Sequence, residues 1–254
     1  MDSTQYFSGL ADAYTIGRPA YAKAFVDSLY SRYGFSEQSV IADIGCGTGK
    51  LAKQLLERGS FVYGVEPNAD MRETALEELG GCGRFQAVDG TAAETNLEEQ
   101  SVDFITAAQA FHWFDVFMFR KECKRILKEN GTVFLIWNLR DTSDKVNQSS
   151  FEIFSEYCPK FHGFSGGVQK DDLRIREFFR DKYEYIEFEN PLSYDRDKFI
   201  SRSLSSSYSL KKGDEKYGEY IAALSAVFER YAKNNVLTVA NKTVAYVGRM
   251  KEVD

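Results

Sequence analysis

Three glycines stand at alternate positions, Gly45, Gly47 and Gly49, between an apolar run and a helical pattern. Glycine lets the backbone turn sharply there and come close to a ligand. The helix that follows directs the free N–H groups of its first turn back at the loop, which suits a nucleotide-like ligand. Asp43 precedes the first glycine by two residues, and Glu66 stands where the next apolar run ends. An acid at that tip can accept hydrogen bonds from both hydroxyls of a ribose. A second group follows a later apolar run: Phe111, His112, Trp113 and Phe114. His112 is one of two histidines and is a candidate general base, set against the plainer role of a hydrogen-bonded pocket wall. Arg140 follows the fifth apolar run, and Arg18 lies in the aromatic N-terminal stretch. Either guanidinium can hold an acidic group by a bidentate contact, although a surface ion pair is the commoner fate of an arginine.

Regular elements must position these residues. Val40, Ile41, Ala42 and Ile44 read as a strand buried on both faces. Residues 50–58 read as a helix with Leu51, Leu55 and Leu56 on one face, and residues 61–65 as the next strand. This is a βαβ unit with its site at the carboxyl ends of the strands. The glycine spacing separates two ligands. The dinucleotide fingerprint GxGxxG needs a glycine at position 50, where this chain has Lys50.

The remaining chain continues the alternation. Residues 20–33 predict a helix with Phe25, Val26, Leu29 and Tyr30 on one side. Asn68 is a good N-cap for a helix that stops at Gly80 and Gly81. A strand over 84–88 ends in Asp89, Gly90 and Thr91, and a strand over 102–108 ends in Ala108 and Gln109. A helix over 115–128, closed by Asn130 and Gly131, leads to a strand over 132–137. Five strand–helix alternations predict a doubly wound parallel sheet. Beyond it the pattern predicts helices over 146–157, 171–179, part of 195–208 and 214–233, and a strand over 183–188. Residues 237–248 read as one strand, or as two turning at Asn241 and Lys242.

Composition narrows the function classes. With 254 residues and 43% hydrophobic content, the chain can bury a sizeable core as one elaborated domain. A net charge of −6 lowers the expectation of a nucleic-acid partner. Cys46, Cys82, Cys123 and Cys158 form no CxxC pair, so neither a disulfide framework nor a zinc site is expected. No stretch of about eighteen apolar residues offers a membrane span, and no signal-like run opens the sequence. The expectation is a cytoplasmic protein with no membrane partner and no metal.

The stretch ADIGCGTGK, with Glu66 beyond it, resembles the first motif of the class I S-adenosylmethionine-dependent methyltransferases. Together with AAQAFHWF and the serine-rich SRSLSSSYSL, it is similar to small-molecule methyltransferases of the trans-aconitate methyltransferase type. The resemblance is specific over about residues 40–115 and diffuse after about 150. It implies a Rossmann-like α/β fold, with a mostly parallel seven-stranded sheet closed by an antiparallel last strand. It further implies one domain over 1–254: an N-terminal lid or plain cover at 1–37, a core at 38–140, a helical cap insert with the sixth strand at 141–235, and a closing strand at 236–254. The cofactor S-adenosylmethionine would then meet Asp43, Gly45, Cys46, Gly47, Gly49, Glu66, Pro67 and Met71, with Asp89, Gly90 and Thr91 at the adenine and Ala108 and Gln109 near the methyl group. Tyr14, Arg18, Trp113 and Arg140 would meet the acceptor, with His112 as the catalytic candidate.

The Pro-Pro-Tyr tip of base amino-methyltransferases and the Pro-Cys nucleophile of base C5-methyltransferases are absent. The expected activity is methyl transfer to a small molecule, with a carboxylate as one acceptor class. The rival readings are a dinucleotide-dependent oxidoreductase and a non-catalytic regulator that binds the cofactor.

Overall fold

The chain places its strands where the apolar runs fall, and its caps where the polar residues precede helices. The computed structural model describes residues 19–164, 172–206 and 208–250. Helix α1 (Lys23–Ser31) buries Phe25, Val26 and Leu29. Strand β1 (Val40–Ile44) leads through the glycine loop to α2 (Lys50–Leu56) and then to β2 (Phe61–Val65). Helix α3 (Ala69–Leu79) begins where Asn68 accepts the Met71 N–H at 3.1 Å. Strands β3 (Phe85–Val88) and β4 (Val102–Ala108) follow, then a single 3-10 turn at Phe111–Trp113. Helix α4 (Val116–Ile126) starts at Asp115, whose carboxylate accepts the Met118 N–H at 2.8 Å.

Strand β5 (Leu127–Arg140) ends the parallel half. The C-terminal part contains α5 (Lys145–Tyr157), α6 (Leu173–Phe179), β6 (Glu184–Glu189), β7 (Leu192–Tyr194), α7 (Arg196–Leu204), α8 (Tyr217–Tyr231), β8 (Leu237–Val239) and β9 (Asn241–Arg249).

Seven strands form one sheet in the order β3-β2-β1-β4-β5-β9-β6. The first five are parallel, and β9 runs antiparallel between β5 and β6. The fold is thus α/β and Rossmann-like, as the apolar runs and the resemblance lead one to expect. Strand order reverses between β1 and β4, so a crevice opens at their carboxyl ends. One face of the sheet packs Phe111, Phe119, Trp137, Phe178 and Tyr246, and the other packs Phe25, Leu51, Leu55, Phe104 and Phe134. A third apolar cluster, with Phe154, Phe199, Tyr220 and Phe228, lies among α5, α7 and α8. Asn147 ties it to the sheet: its Nδ2 donates to the Asp141 and Ala240 carbonyls at 2.9 and 2.7 Å.

Three local expectations are corrected. Asn130 and Gly131 do not stop a helix. The helix ends at Ile126, and Leu127 is already extended and paired with Val102. Leu127 is buried, and this tertiary pairing outweighs the local Asn-Gly stop signal. The last two strands part at Ala240 and not at Asn241 and Lys242. Strand β8 leaves the main sheet to pair with β7, a partnership of three residues on each side that has no local signature.

Candidate functional site

The glycine loop is shaped by backbone that other residues resist. Gly45, Gly47 and Gly49 all have positive φ, at 68°, 57° and 79°. The Gly45 and Cys46 N–H groups both donate to the Val65 carbonyl, at 2.8 and 3.2 Å, which fastens the loop to the end of β2. A Cβ on Gly45 would sit 2.7 Å from the Ala110 Cβ, so the loop and the tip of β4 lie as close as glycine permits. Gly49 is the left-handed N-cap of α2 and presses against Leu79.

A cleft of about 500 Å³, open to solvent, lies over this loop. Asp43, Gly45, Cys46 and Gly47 line it from the β1 side, and Ala108 and Gln109 from the tip of β4. The cleft is also lined by Thr48, Lys50 and Leu51, by Asn138 of β5, and by Pro19 and Tyr21. Gln109 takes a left-handed φ of 56°, a conformation that non-glycine residues adopt at a cost and that recurs at functional sites. Its N–H donates to the Ile136 carbonyl at 2.8 Å and its Nε2 to the Asn138 carbonyl at 3.1 Å, which hold that conformation in place.

Asp43 is 1% exposed. Its Oδ1 accepts the Thr106 hydroxyl at 2.7 Å, while its Oδ2 has no hydrogen-bond partner. Burial pushes this carboxyl up to about 7; the Thr106 hydroxyl opposes that rise and the nearby Glu66 adds to it. Glu66, at the end of β2, is buried too. Its Oε2 accepts the Gly47 N–H at 3.0 Å and its Oε1 the Asn68 N–H at 2.9 Å. Burial raises its carboxyl, and those two backbone donors and Arg72 hold the rise in check. The Cys46 thiol is pushed well up by burial, which leaves it a small neutral wall residue.

Pro19 and Tyr21 enter the cleft because the segment before α1 is pinned on three sides. Tyr21 exchanges two hydrogen bonds with the Gln54 side chain, both 2.9 Å. Asn138 Nδ2 donates to the Pro19 and Ala20 carbonyls, each at 3.2 Å. The Ala22 N–H donates to Thr243 Oγ1 at 2.8 Å, and that hydroxyl donates to Asn138 Oδ1 at 2.6 Å.

The other residues singled out from the sequence fall elsewhere. Gly49, Glu66, Pro67 and Met71 support the loop and the start of α3 without lining the cleft. Asp89 and Thr91 are exposed; Asp89 pairs with Arg72 at 3.3 Å, and the Thr91 N–H is taken by the Glu94 carbonyl. Gly90 is buried where a Cβ would lie 2.7 Å from the Thr95 carbonyl oxygen. His112 sits on the 3-10 turn toward α6, with its carbonyl 3.5 Å from Arg174 Nη1 and its ring against Trp113. Neither His112 nor Trp113, which is half exposed, lines the cleft. Arg140 lines a different, small pocket under the cap, together with Arg202 and Asn241. Tyr14 and Arg18 lie outside the described residues.

Sequence reasoning passed over Asn138, and it named Pro19 and Tyr21 only as part of the N-terminal lid or cover. Asn138 stands at a strand tip and could have been found there; the other two are placed by long-range bonds alone. Thr48, Lys50 and Leu51 adjoin the glycine loop, which was their signal. Among the described residues, no cluster of His, Cys, Asp and Glu is arranged to hold a metal ion, and no helix is long and apolar enough to cross a membrane.

Residues 42–135 match the methyltransferase domain family. An uncharacterized methyltransferase of Mycobacterium tuberculosis (strain ATCC 25618 / H37Rv) is 36% identical over 140 residues, which are 55% of this chain and 55% of the relative. The match therefore spans about half the length of that relative. An uncharacterized methyltransferase-like protein of Schizosaccharomyces pombe is 25% identical over 251 residues, 97% of this chain and 95% of the relative. A candidate type II methyltransferase from Anaeromyxobacter dehalogenans shares the fold, with a TM-score of 0.65 at 20% identity, over 92% of this chain and 98% of that one. The family match thus falls on the strands whose carboxyl ends form the cleft, the region that resembles the class I S-adenosylmethionine-dependent methyltransferases.

Proposed function

We propose that the protein transfers the methyl group of S-adenosylmethionine to a small-molecule acceptor, and that the acceptor is a carboxylic acid. The observation that carries the donor assignment is the bare Oδ2 of Asp43 in the cleft lining. A buried acceptor oxygen without a donor is costly, and it fits the ammonium of the cofactor's methionine end. Gly45 and Gly47 would admit that end without a side chain in the way. Glu66, whose oxygens keep free lone pairs beside the loop, would take the ribose hydroxyls. Ala108 and Gln109 stand at the tip of β4, where the reacting group is expected.

When bound, S-adenosylmethionine supplies an already activated methyl group, so the chain's task is chiefly to position the reactants. Positioning can contribute roughly 7–11 kcal/mol of barrier lowering in favourable cases. Pro19 and Tyr21 wall one side of the cleft. A carboxylate acceptor is already deprotonated at neutral pH and needs no base. This agrees with the place of His112 outside the cleft lining. The acid acceptor is supported by the resemblance of AAQAFHWF and SRSLSSSYSL to the trans-aconitate methyltransferase type, by the missing Pro-Pro-Tyr tip, and by Arg140 under the cap.

The test has two arms. Calorimetry should give binding of S-adenosylhomocysteine and none of NAD or NADP; the reverse would end the donor assignment. A screen of metabolite extracts with S-adenosylmethionine should release S-adenosylhomocysteine with organic acids and form methyl esters. A neutral phenol or an amine as the accepted substrate would end the carboxylate assignment alone.

A further inference from the structure

Gln109 holds a backbone conformation that glycine would take freely. It is the first residue after β4, and its φ of 56° lies in the left-handed region. A residue with a side chain is strained there, and such strain persists where the surroundings enforce it and the side chain has a task. Two carbonyls of β5 do the enforcing. Ile136 accepts the Gln109 N–H at 2.8 Å, and Asn138 accepts its Nε2 at 3.1 Å.

The second bond fixes which way the amide faces. A carbonyl can only accept, so the NH2 end must meet Asn138 and the oxygen must point away from it. Oε1 receives no hydrogen bond from any described residue. Asn138, the other amide of the cleft lining, has none of its side-chain capacity left. Its Nδ2 donates to the Pro19 and Ala20 carbonyls, and its Oδ1 accepts the Thr243 hydroxyl at 2.6 Å and Asn190 Nδ2 at 3.2 Å. Asn138 is thus a rigid base on which Gln109 rests. Ala108 and Ala110, on either side of Gln109, bring only methyl groups. Residues 108–110 therefore offer the cleft one polar side-chain atom without a partner, and it is a neutral carbonyl oxygen.

Such an oxygen carries the negative end of the amide dipole, which attracts a cation. Unlike a carboxylate, a neutral amide is a poor nucleophile, so a cationic alkylating group can rest against it without being consumed. We propose that Gln109 Oε1 is a specificity-determining contact for the positive sulfonium of the methyl donor, so that the cleft favours the charged donor over its neutral product. The proposal rests on the reading that this cleft takes S-adenosylmethionine. On that reading the donor's ammonium meets Asp43, which lies beside Thr106 of β4 in the sheet register. The sulfur stands at the far end of the same methionine side chain, and Gln109 stands three residues beyond Thr106. After transfer the sulfur is a neutral thioether and the attraction is gone. The sulfonium charge already fades in the transition state, so the contact selects the donor and eases product release without lowering the barrier.

Calorimetry on the full chain gives the affinities for S-adenosylmethionine and S-adenosylhomocysteine in the parent, Gln109→Gly and Gln109→Lys. Glycine accepts the left-handed φ, so Gln109→Gly should keep the parent's thermal midpoint. It should bind S-adenosylmethionine about tenfold more weakly, as loss of a contact to a charged group does, with S-adenosylhomocysteine affinity unchanged. Gln109→Lys keeps a donor for the Asn138 carbonyl but replaces the oxygen with a positive charge. It should weaken S-adenosylmethionine further and again spare S-adenosylhomocysteine.

Equal losses for the two ligands would make Gln109 part of the cleft wall and overturn the proposal. So would Gln109→Gly binding S-adenosylmethionine as the parent does. Either result leaves the methyltransferase reading in place. Failure of the parent chain to bind either ligand strikes that underlying reading, and the sulfonium contact falls with it.

Discussion

Glu66 Oε2 accepts the N–H of Gly47 at 3.0 Å, so the acid at the tip of β2 clasps the glycine loop directly. One carboxylate thus shapes the loop, and on the proposed reading it also takes the ribose hydroxyls. Glu66→Ala should weaken S-adenosylhomocysteine binding by about 1–3 kcal/mol, through lost charge-assisted hydrogen bonds. Calorimetry returning the parent affinity would remove Glu66 from the cofactor site.

Asp43 should link cofactor binding to pH. Its carboxyl is raised by burial from the ordinary 3.8 to about 7. The sign for the ligand-free fold follows from linkage: the folded state holds this proton more tightly than the unfolded state. The associated stability is complete below about 3.8 and is lost as pH rises through about 7. A bound ammonium favours the ionised form, so binding of S-adenosylhomocysteine should release protons below about pH 7 and tighten up to that point. Calorimetry in buffers of different ionisation heat measures the release. Asp43→Asn should abolish it, and a release that persists in that variant would assign it to another group.

Gly45→Ala should destabilise the chain by about 1–3 kcal/mol, because alanine would be forced into a positive φ. The added Cβ also meets Ala110 at 2.7 Å, so relief by a local shift would move the tip of β4. Thermal unfolding gives the stability change, and S-adenosylhomocysteine affinity should fall with it. A variant as stable as the parent would show that the loop is less constrained than its geometry implies.

Thr243→Val should free the segment that walls the cleft. It removes the acceptor of the Ala22 N–H and the donor to Asn138 Oδ1. Leaving the buried Ala22 N–H unpaired costs about 1–3 kcal/mol, while Asn138 Oδ1 keeps the Asn190 amide at 3.2 Å. Amide exchange at Tyr21 and Ala22 should accelerate in the variant, and cofactor should restore less protection than in the parent. The same measurement on the parent tests whether residues before Pro19 act as a lid: ligand-dependent protection there supports it, and equal protection with and without ligand reduces the segment to a cover.

His112→Ala should lower turnover only modestly and leave the shape of the pH–rate profile unchanged. Its turn faces α6, and Arg174 meets its carbonyl. Complete loss of turnover, with cofactor affinity intact, would make His112 catalytic after all and would argue for an acceptor that must lose a proton.

The glycine loop, the strand tips and the helix caps were legible because each depends on neighbours in sequence. Gly45, Gly47 and Gly49 announce a backbone that only glycine adopts easily. Asn68 announces a cap because its side-chain oxygen reaches an N–H three residues on. Periodicity in turn located β1, β2, β3, β4 and β6 nearly to their limits, whereas β5 begins earlier than its pattern suggests, since Leu127 answers to Val102 across the sheet, and β9 begins after a break at Ala240.

What only the tertiary structure decided are relations between residues far apart in the chain. Ala22 and Thr243 are 221 positions apart, and their bond brings Tyr21 to the cleft wall. Arg140 stands out in sequence by its place after the fifth strand, but its neighbours are set by the β5–β9 register, which puts it across from Asn241, and by α7, which brings Arg202 to the same pocket. His112 follows the informative strand tip in sequence, yet the turn after β4 carries it toward α6. Local chemistry determines which conformations a residue can take. Which distant side chains share one space is set by packing and register, and a single sequence carries no periodic signal for either.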